Sequence, residues 1–142
     1  MSLRTQPYAI LVVDDNPADV RLLQEAFGAC GHRCQLTCTD SIPAATQILQ
    51  TKTFDLVISD MGPYKEGLAL LSVIRSDKRL KTIPVIVLSG VSDPLHAYEA
   101  GANAFISKDA DIDTFFRKVK TLMEFWVNVA ELPRSSHATT PA

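Results

Sequence analysis

Residues 9–19 read AILVVDDNPAD and decide the fold of this chain. Five apolar residues form a run that is typical of a central strand in a parallel sheet, and two acids follow it. Asn16 and Pro17 then favour a helix start, because asparagine caps helices and proline suits the first helical position. The stretch therefore predicts a strand, an acidic turn and a helix in immediate succession.

The same alternation of strand and helix occurs five times along the 142 residues. Continuous apolar runs at 9–13, 55–59 and 84–88 predict central strands. Residues 33–39 alternate in polarity and residues 103–107 are short and mixed, as is typical of edge strands. Three inner and two outer strands fit a doubly wound α/β sheet, the flavodoxin-like (βα)5 fold with strand order 2-1-3-4-5.

The composition is typical of a single globular domain. Hydrophobic residues make up 46% of the chain and charged residues 21%, and the formal net charge of −2 gives no general attraction to nucleic acid or anionic lipid. No apolar run approaches the ~20 residues of a membrane span, and residues 1–7 lack the apolar stretch of a signal peptide. We expect a cytoplasmic domain over residues 1–132 and an irregular tail over residues 133–142, too short for a DNA-binding unit.

Three cysteines cluster near the second predicted strand, at Cys30, Cys34 and Cys38. Cys34 and Cys38 share a strand face at a separation that is wrong for a direct disulfide. We therefore expect all three to be reduced and mostly packed thiols.

Polar side chains follow four of the predicted strands. Asp14 and Asp15 follow the first strand, Asp60 closes the third, Ser89 the fourth and Lys108 the fifth. Because the carboxyl ends of parallel strands meet at one edge of the sheet, these side chains should converge. Three carboxylates in one crevice repel each other unless a cation or a proton shares the site, and their oxygens suit Mg²⁺.

Each of these residues alone has an ordinary interpretation as a helix cap, a turn residue or a surface lysine. Their joint occurrence at four strand ends instead indicates phosphoryl chemistry. We expect Asp15 and Asp60 to bind Mg²⁺ directly, Asp14 to act through water and the Gly62 carbonyl to be a further ligand. Asp60 is then the nucleophile, while Ser89 and Lys108 bind phosphoryl oxygens.

At this point the chain resembles the receiver domains of two-component response regulators, from about Tyr8 to about Leu132. The resemblance rests on four segments, at residues 12–16, 55–60, 87–90 and 101–108. It implies that a histidine kinase or a histidine phosphotransfer protein donates a phosphoryl group to Asp60 while Asp14 and Asp15 hold Mg²⁺. Ser89 would rotate toward the phosphate and Phe105 would turn inward. The fourth helix, fifth strand and fifth helix would then present an altered face.

A narrower likeness concerns the two ends of the domain. Residues 10–19 and residues 125–133 are similar to those of stand-alone receivers that pair with phytochrome-type kinases. Members of that group have no output domain and are dimeric through the fifth-helix face. The only catalysis that the resemblance implies is transfer onto, and loss from, the protein's own Asp60.

The loop after Asp60 departs from the family pattern, because Pro63 comes one residue early and the loop is one residue short. We therefore expect weaker Mg²⁺ binding, and a degenerate receiver that only binds proteins is the alternative. An aspartyl phosphatase would need an acid at position 62, where the chain has Gly62.

Asp109 stands where the family often has a proline after a cis bond, so the bond between Lys108 and Asp109 is either trans or an unfavourable cis.

Two helices have unusual apolar faces. The fourth, which Asp93 starts, offers few apolar residues for its inner face beyond Leu95 and Tyr98, so we expect weak packing.

The apolar stripe of the fifth helix spans about 28 Å from Ile112 to Ala130, whereas a strand spans ~17–20 Å. At its far end Phe125, Trp126 and Val127 need another surface: either the chain folds back over them, or a second copy covers them as a homodimer.

Overall fold

The apolar run at residues 9–13 lies at the centre of a five-stranded parallel sheet. The computed structural model describes residues 6–28, 33–60, 66–90, 93–108 and 111–133. The strands are β1 (Tyr8–Val13), β2 (Cys34–Thr39), β3 (Leu56–Asp60), β4 (Val85–Ser89) and β5 (Ala104–Ser107). The helices are α1 (Pro17–Gly28), α2 (Ile42–Thr51), α3 (Glu66–Ser76), α4 (Pro94–Glu99) and α5 (Ile112–Glu124), and a π-helical turn (Phe125–Val129) follows α5.

The strand order is β2-β1-β3-β4-β5, so the predicted flavodoxin-like topology is confirmed. The register aligns the carboxyl ends of the strands: Val13 is opposite Ser59 of β3, Asp60 is opposite Leu88, and Ser89 is opposite Ser107. All three pairings are parallel. The residues that close or follow these strands therefore lie along one edge of the sheet.

Helices cover both faces of the sheet, as a doubly wound fold requires. Leu23 and Phe27 of α1 and Val119 of α5 pack on one face, in a layer that we call the α1/α5 layer. Leu49 of α2 and Ile74 of α3 pack on the other face. Burial on both faces explains why the central strands have continuous apolar runs rather than alternating ones. No helix in the described ranges combines the length and apolarity that a membrane crossing needs.

Helix α4 packs differently from the prediction. Its start is as expected, because the Asp93 carboxylate accepts a hydrogen bond from the Leu95 N–H at 2.9 Å. However, Leu95 and Tyr98 are 57% and 51% exposed, and only Ala97 is buried, so the prediction of its inner face is wrong. A helix of six residues presents less than two turns to the sheet, and the small Ala97 takes the contact position. The weak packing itself is confirmed.

The end of α5 also differs from the prediction. The α-helix stops at Glu124, and the Ala130 N–H donates to the Phe125 carbonyl at 2.7 Å to close the π-helical turn. Val127 is 5% exposed and belongs to the α1/α5 layer. The expectation that Val127 needs another surface is therefore wrong, because Val127 packs within the α1/α5 layer itself. Trp126 is half-buried against the same layer, whereas Phe125 is 48% exposed.

The cysteines agree with the prediction only in part. Cys34 is half-buried and packs against the α1/α5 layer. Cys38 is exposed, with its Sγ 3.9 Å from the Gln24 Nε2 atom, so the expectation that it is packed is wrong. It lies near the end of an edge strand, which has a neighbouring strand on only one side. Cys30 is outside the described residues.

The Arg75 side chain of α3 joins three segments around the start of β4. Its guanidinium donates to the carbonyls of Lys81, Ile83 and Gly101 and to the Asn103 side chain, at 2.7–3.0 Å. Gly101 has a φ of 109°, and the Arg75 stem lies 3.0 Å from where a Cβ would stand. Arg75 therefore holds the turn between α4 and β5 against α3.

We expect Arg75→Lys to lower the free energy of unfolding by about 2–3 kcal/mol, because a lysine cannot donate in this fork geometry and leaves carbonyls without partners. Chemical denaturation would measure the change. Arg117→Lys on the exposed face of α5 is the matched control and should stay within about 0.5 kcal/mol of the parent. Equal stability of Arg75→Lys and the parent would contradict the assigned role.

Candidate functional site

The acids that follow β1 and close β3 lie together at the carboxyl edge of the sheet. One oxygen from each of Asp14, Asp15 and Asp60 lies within 4.8 Å of the others. Asp14 is buried, Asp15 is exposed and Asp60 is intermediate, so the group opens to solvent on one side. The predicted convergence of the three carboxylates is present in the structure.

The backbone around Asp14 holds its carboxylate in place. The Asp14 N–H donates to the Thr39 carbonyl of β2 at 3.0 Å, and an Asp14 oxygen accepts from the Asn16 N–H at 2.9 Å. The Asn16 side chain in turn accepts from the N–H groups of Ala18 and Asp19, at 2.9 and 3.4 Å. The predicted Asn16 cap is therefore confirmed, and the cap joins the acidic turn directly to the first turn of α1.

Lys108 brings a positive charge into this group. Its Nζ lies 3.3 Å from an oxygen of Asp14, 3.3 Å from an oxygen of Asp60 and 2.6 Å from an oxygen of Asp19. The Lys108 N–H also donates to the Ser89 carbonyl at 2.9 Å, which fixes the end of β5 beside the end of β4. Four carboxylates thus accompany one ammonium, and we call these five side chains the acidic cluster: Asp14, Asp15, Asp19, Asp60 and Lys108.

Asp19 is the member of the acidic cluster that sequence reasoning missed. The other members were predicted because they close or follow a strand, whereas Asp19 lies in the first turn of α1. One signal was available: Asp19 is four residues after Asp15, and residues at this spacing share a face where a helix begins.

Burial changes the protonation of two groups in the cluster. Desolvation raises the pKa of Asp14 from 3.8 to about 6, although the hydrogen bond from the Asn16 N–H and the charge of Lys108 act in the opposite direction. For Lys108, desolvation lowers the pKa, but the hydrogen bond to Asp19 and the charges of Asp14 and Asp60 outweigh it, so the pKa is raised. Lys108 therefore stays charged at neutral pH, where Asp14 is mostly ionised.

The three carboxylates fit a divalent cation. Ligands of an octahedral Mg²⁺ lie about 2.1 Å from the ion, so two on opposite sides are about 4.2 Å apart. The observed limit of 4.8 Å needs only a small inward rotation of the side chains. All the donors are hard oxygens, and the acidic cluster has a formal charge of −3 when its four acids are ionised.

The remaining predicted site residues lie around this cluster or outside the described ranges. Ser89 is buried at the end of β4, and Phe105 in β5 is half-buried against the side of the sheet that α2, α3 and α4 cover. Gly62 lies outside the described residues, and so does Asp109, with the bond that joins it to Lys108. The Gly62 carbonyl and the geometry of that bond therefore stay predictions.

Comparison with known proteins agrees with this geometry. The model of the response regulator receiver domain matches residues 10–120. The chain belongs to the response regulator receiver family. Receivers are signalling domains of two-component systems, and they bind a divalent metal in an acidic pocket at this edge of the sheet.

Individual relatives cover most of the chain. Rcp1 of Synechocystis sp. is 29% identical over an alignment 139 positions long, which covers 89% of this chain and 94% of Rcp1. Rre1 of the same organism is 32% identical over 122 residues, and the chain spans about half of its length. Among solved structures, the phosphorylated cyanobacterial phytochrome response regulator RcpA has a TM-score of 0.84 and 33% identity over 90% of this chain and 99% of RcpA. The Mn²⁺-bound form of Rcp1 has a TM-score of 0.83 and 29% identity over 90% of this chain and all of Rcp1.

The raised pKa of Asp14 predicts how the stability of the metal-free receiver depends on pH. Well below pH 3.8 the carboxyl is protonated in both the folded and the unfolded chain. As the pH rises to about 6, the unfolded chain loses this proton first, so the free energy of unfolding falls. Asp14→Asn removes the buried charge and should raise the free energy of unfolding at pH 8 by about 1–3 kcal/mol in the presence of a chelator.

Denaturant titrations at pH 4 and pH 8 would measure this difference, which should be much smaller at pH 4, because the unfolded chain still keeps part of this proton there. Asp113→Asn, at an exposed acid in the first turn of α5, is the matched control. A loss of stability at pH 8 in Asp14→Asn would show that the carboxylate is stabilised in the folded chain, contrary to this account.

Proposed function

We propose that this receiver accepts a phosphoryl group on Asp60 from a histidine kinase or a histidine phosphotransfer protein, with Mg²⁺ in the acidic cluster. The observation that supports this most directly is the position of the Asp60 carboxylate. It lies within 4.8 Å of the oxygens of Asp14 and Asp15 and 3.3 Å from the Lys108 ammonium. A carboxylate in this environment offers a nucleophilic oxygen, and the Lys108 ammonium supplies positive charge beside it. A divalent cation held by the three acids would supply more.

In the proposed reaction an oxygen of Asp60 attacks the phosphorus of a phosphohistidine, a P–O bond forms and the P–N bond breaks. The imidazole leaves with the electron pair of that bond and takes a proton from solvent. Lys108, held in its charged form, stabilises one phosphoryl oxygen, and the Ser89 hydroxyl donates to another. A bound Mg²⁺ supplies the charge that neutralises the phosphoryl group, and Asp14, Asp15 and Asp60 would hold it, with the Gly62 carbonyl as a further ligand.

The similarity to RcpA, a phytochrome response regulator, supports a phytochrome-type kinase as the donor. We propose that residues 1–132 act as one cytoplasmic domain and signal through protein contacts rather than by binding nucleic acid. Beyond loading and losing its own phosphoryl group, the domain would not turn over a substrate.

The face formed by α4, β5 and α5 is suited to transmit the change. Helix α4 contributes one buried side chain, Ala97, and elements with few buried contacts open most easily. The Phe105 N–H donates to the Tyr98 hydroxyl at 3.2 Å, so α4 is joined to β5 at the residue proposed to turn inward. Movement of Ser89 and Phe105 would then alter the position of Tyr98.

Incubation with a radiolabelled small phosphodonor such as acetyl phosphate, with Mg²⁺ present, should label the parent chain but not Asp60→Asn, because the amide is a poor nucleophile. Asp113→Asn, at an exposed acid outside the acidic cluster, is the control and should label like the parent. Labelling that survives in Asp60→Asn would refute the assignment. A folded parent that neither labels nor binds Mg²⁺ at millimolar concentration would instead support the degenerate receiver that only binds proteins.

We further propose that two copies associate through α5. A groove of about 780 Å³ lies between β5 and α5, and its walls include Ile106, Leu122, Phe125 and Trp126. The Phe125 ring stands edge-on to the Trp126 ring, with centroids 5.2 Å apart, and it remains about half exposed. An aromatic pair with one exposed ring beside an apolar groove is suited to a protein interface.

Phe125→Glu should lower the affinity of the proposed dimer at least tenfold, because a charge would be buried in the interface. Sedimentation of the parent and the variant at micromolar concentration, with and without phosphorylation, would measure it. Ile112→Glu is the matched control, since Ile112 is 69% exposed at the opposite end of the same helix. A parent that is monomeric under both conditions would rule out the interface.

A further inference from the structure

The shortest ion pair of the acidic cluster joins Lys108 to Asp19 and not to the proposed phosphoryl acceptor. The Lys108 Nζ is 2.6 Å from Asp19, against 3.3 Å from both Asp14 and Asp60. At 2.6 Å the contact is a short, charge-assisted hydrogen bond, which is stronger than the two longer contacts. Asp19 therefore determines where the ammonium lies.

The position of Asp19 is itself set by the acidic turn. The Asn16 side chain accepts hydrogen bonds from the N–H groups of Ala18 and Asp19, and the Asn16 N–H donates to the Asp14 carboxylate. Asp19 thus belongs to the same rigid turn as Asp14 and Asp15. Its carboxylate also lies near the amino end of α1, where the helix dipole favours a negative charge. These contacts place an anion 2.6 Å from the Lys108 ammonium that is not one of the three acids at the sheet edge.

A lysine ammonium among metal-binding carboxylates would compete with a divalent cation for the same oxygens. The stem of Lys108 has four flexible carbons, so without another partner its Nζ would pair more closely with Asp14 and Asp60. Asp19 gives the ammonium a partner that is not one of the three carboxylates close enough to share a metal ion. Lys108 can then remain charged and near Asp60 while a cation binds the other acids.

We propose that Asp19 is a positioning residue that holds Lys108 at the rim of the acidic cluster, so that a divalent cation and the ammonium act on Asp60 together. This inference rests on the proposed function, because it assumes that the cluster binds Mg²⁺ and that Asp60 accepts phosphate. If so, removing Asp19 weakens Mg²⁺ binding in two ways. The site loses one negative charge, and Lys108 becomes free to compete with the cation for the oxygens of Asp14 and Asp60.

A double-mutant cycle separates these two effects. Calorimetric Mg²⁺ titrations of the full chain at pH 8 would compare Asp19→Asn in the parent background and in a Lys108→Met background. We expect at least a fivefold loss of Mg²⁺ affinity in the parent background and no more than a twofold loss when position 108 is methionine. Asp19→Glu, which keeps the charge, should recover part of the affinity, and Asp113→Asn should bind like the parent.

Phosphorylation gives a second readout. At saturating Mg²⁺, Asp19→Asn should label at Asp60 within about threefold of the parent rate, whereas at limiting Mg²⁺ it should label much more slowly. Equal losses of Mg²⁺ affinity in both backgrounds would overturn the positioning role, because Asp19 would then act by its charge alone. A folded parent without Mg²⁺ binding or labelling would overturn the proposed function as well, so the two failures are distinguishable.

Discussion

Electrostatic repulsion among carboxylates at one edge of the sheet is the constraint on which the site depends. Asp14, Asp15 and Asp60 place oxygens within 4.8 Å of one another, and Lys108 is the cation within the described residues that accompanies them. One ammonium does not balance the group, and burial raises the pKa of Asp14 to about 6 as a result of poor solvation. The arrangement gains stability from any further positive charge, which is why it suits a divalent metal.

The backbone maintains this unfavourable arrangement. The Asp14 N–H is bonded to β2, and the Lys108 N–H is bonded to the Ser89 carbonyl of β4, so the turns after β1 and β5 are both held by neighbouring strands. Large apolar layers on the two faces of the sheet stabilise the strands themselves. The free energy that keeps the acids together therefore comes from packing away from the site.

Beside β4 and β5, a firmly held turn lies next to a loosely packed helix. Arg75 holds the turn at Gly101 with several hydrogen bonds, while α4, immediately before that turn, contributes only Ala97 to the core. A helix with one buried side chain and a firmly held end can shift about that end at little cost. The Tyr98 hydroxyl accepts a hydrogen bond from the Phe105 N–H, so the loosely packed α4 is joined directly to β5.

The sequence by itself determined the sheet order, the helix starts and the convergence of Asp14, Asp15 and Asp60, because apolar periodicity and strand ends are local properties of the chain. Only the tertiary structure decided that Ala97, rather than Leu95 or Tyr98, is the buried residue of α4, and that Val127 packs within the α1/α5 layer. It also decided that Asp19 is the nearest partner of Lys108. These contacts join residues far apart in the chain, and they depend on how neighbouring helices lie against each other, which no local pattern encodes.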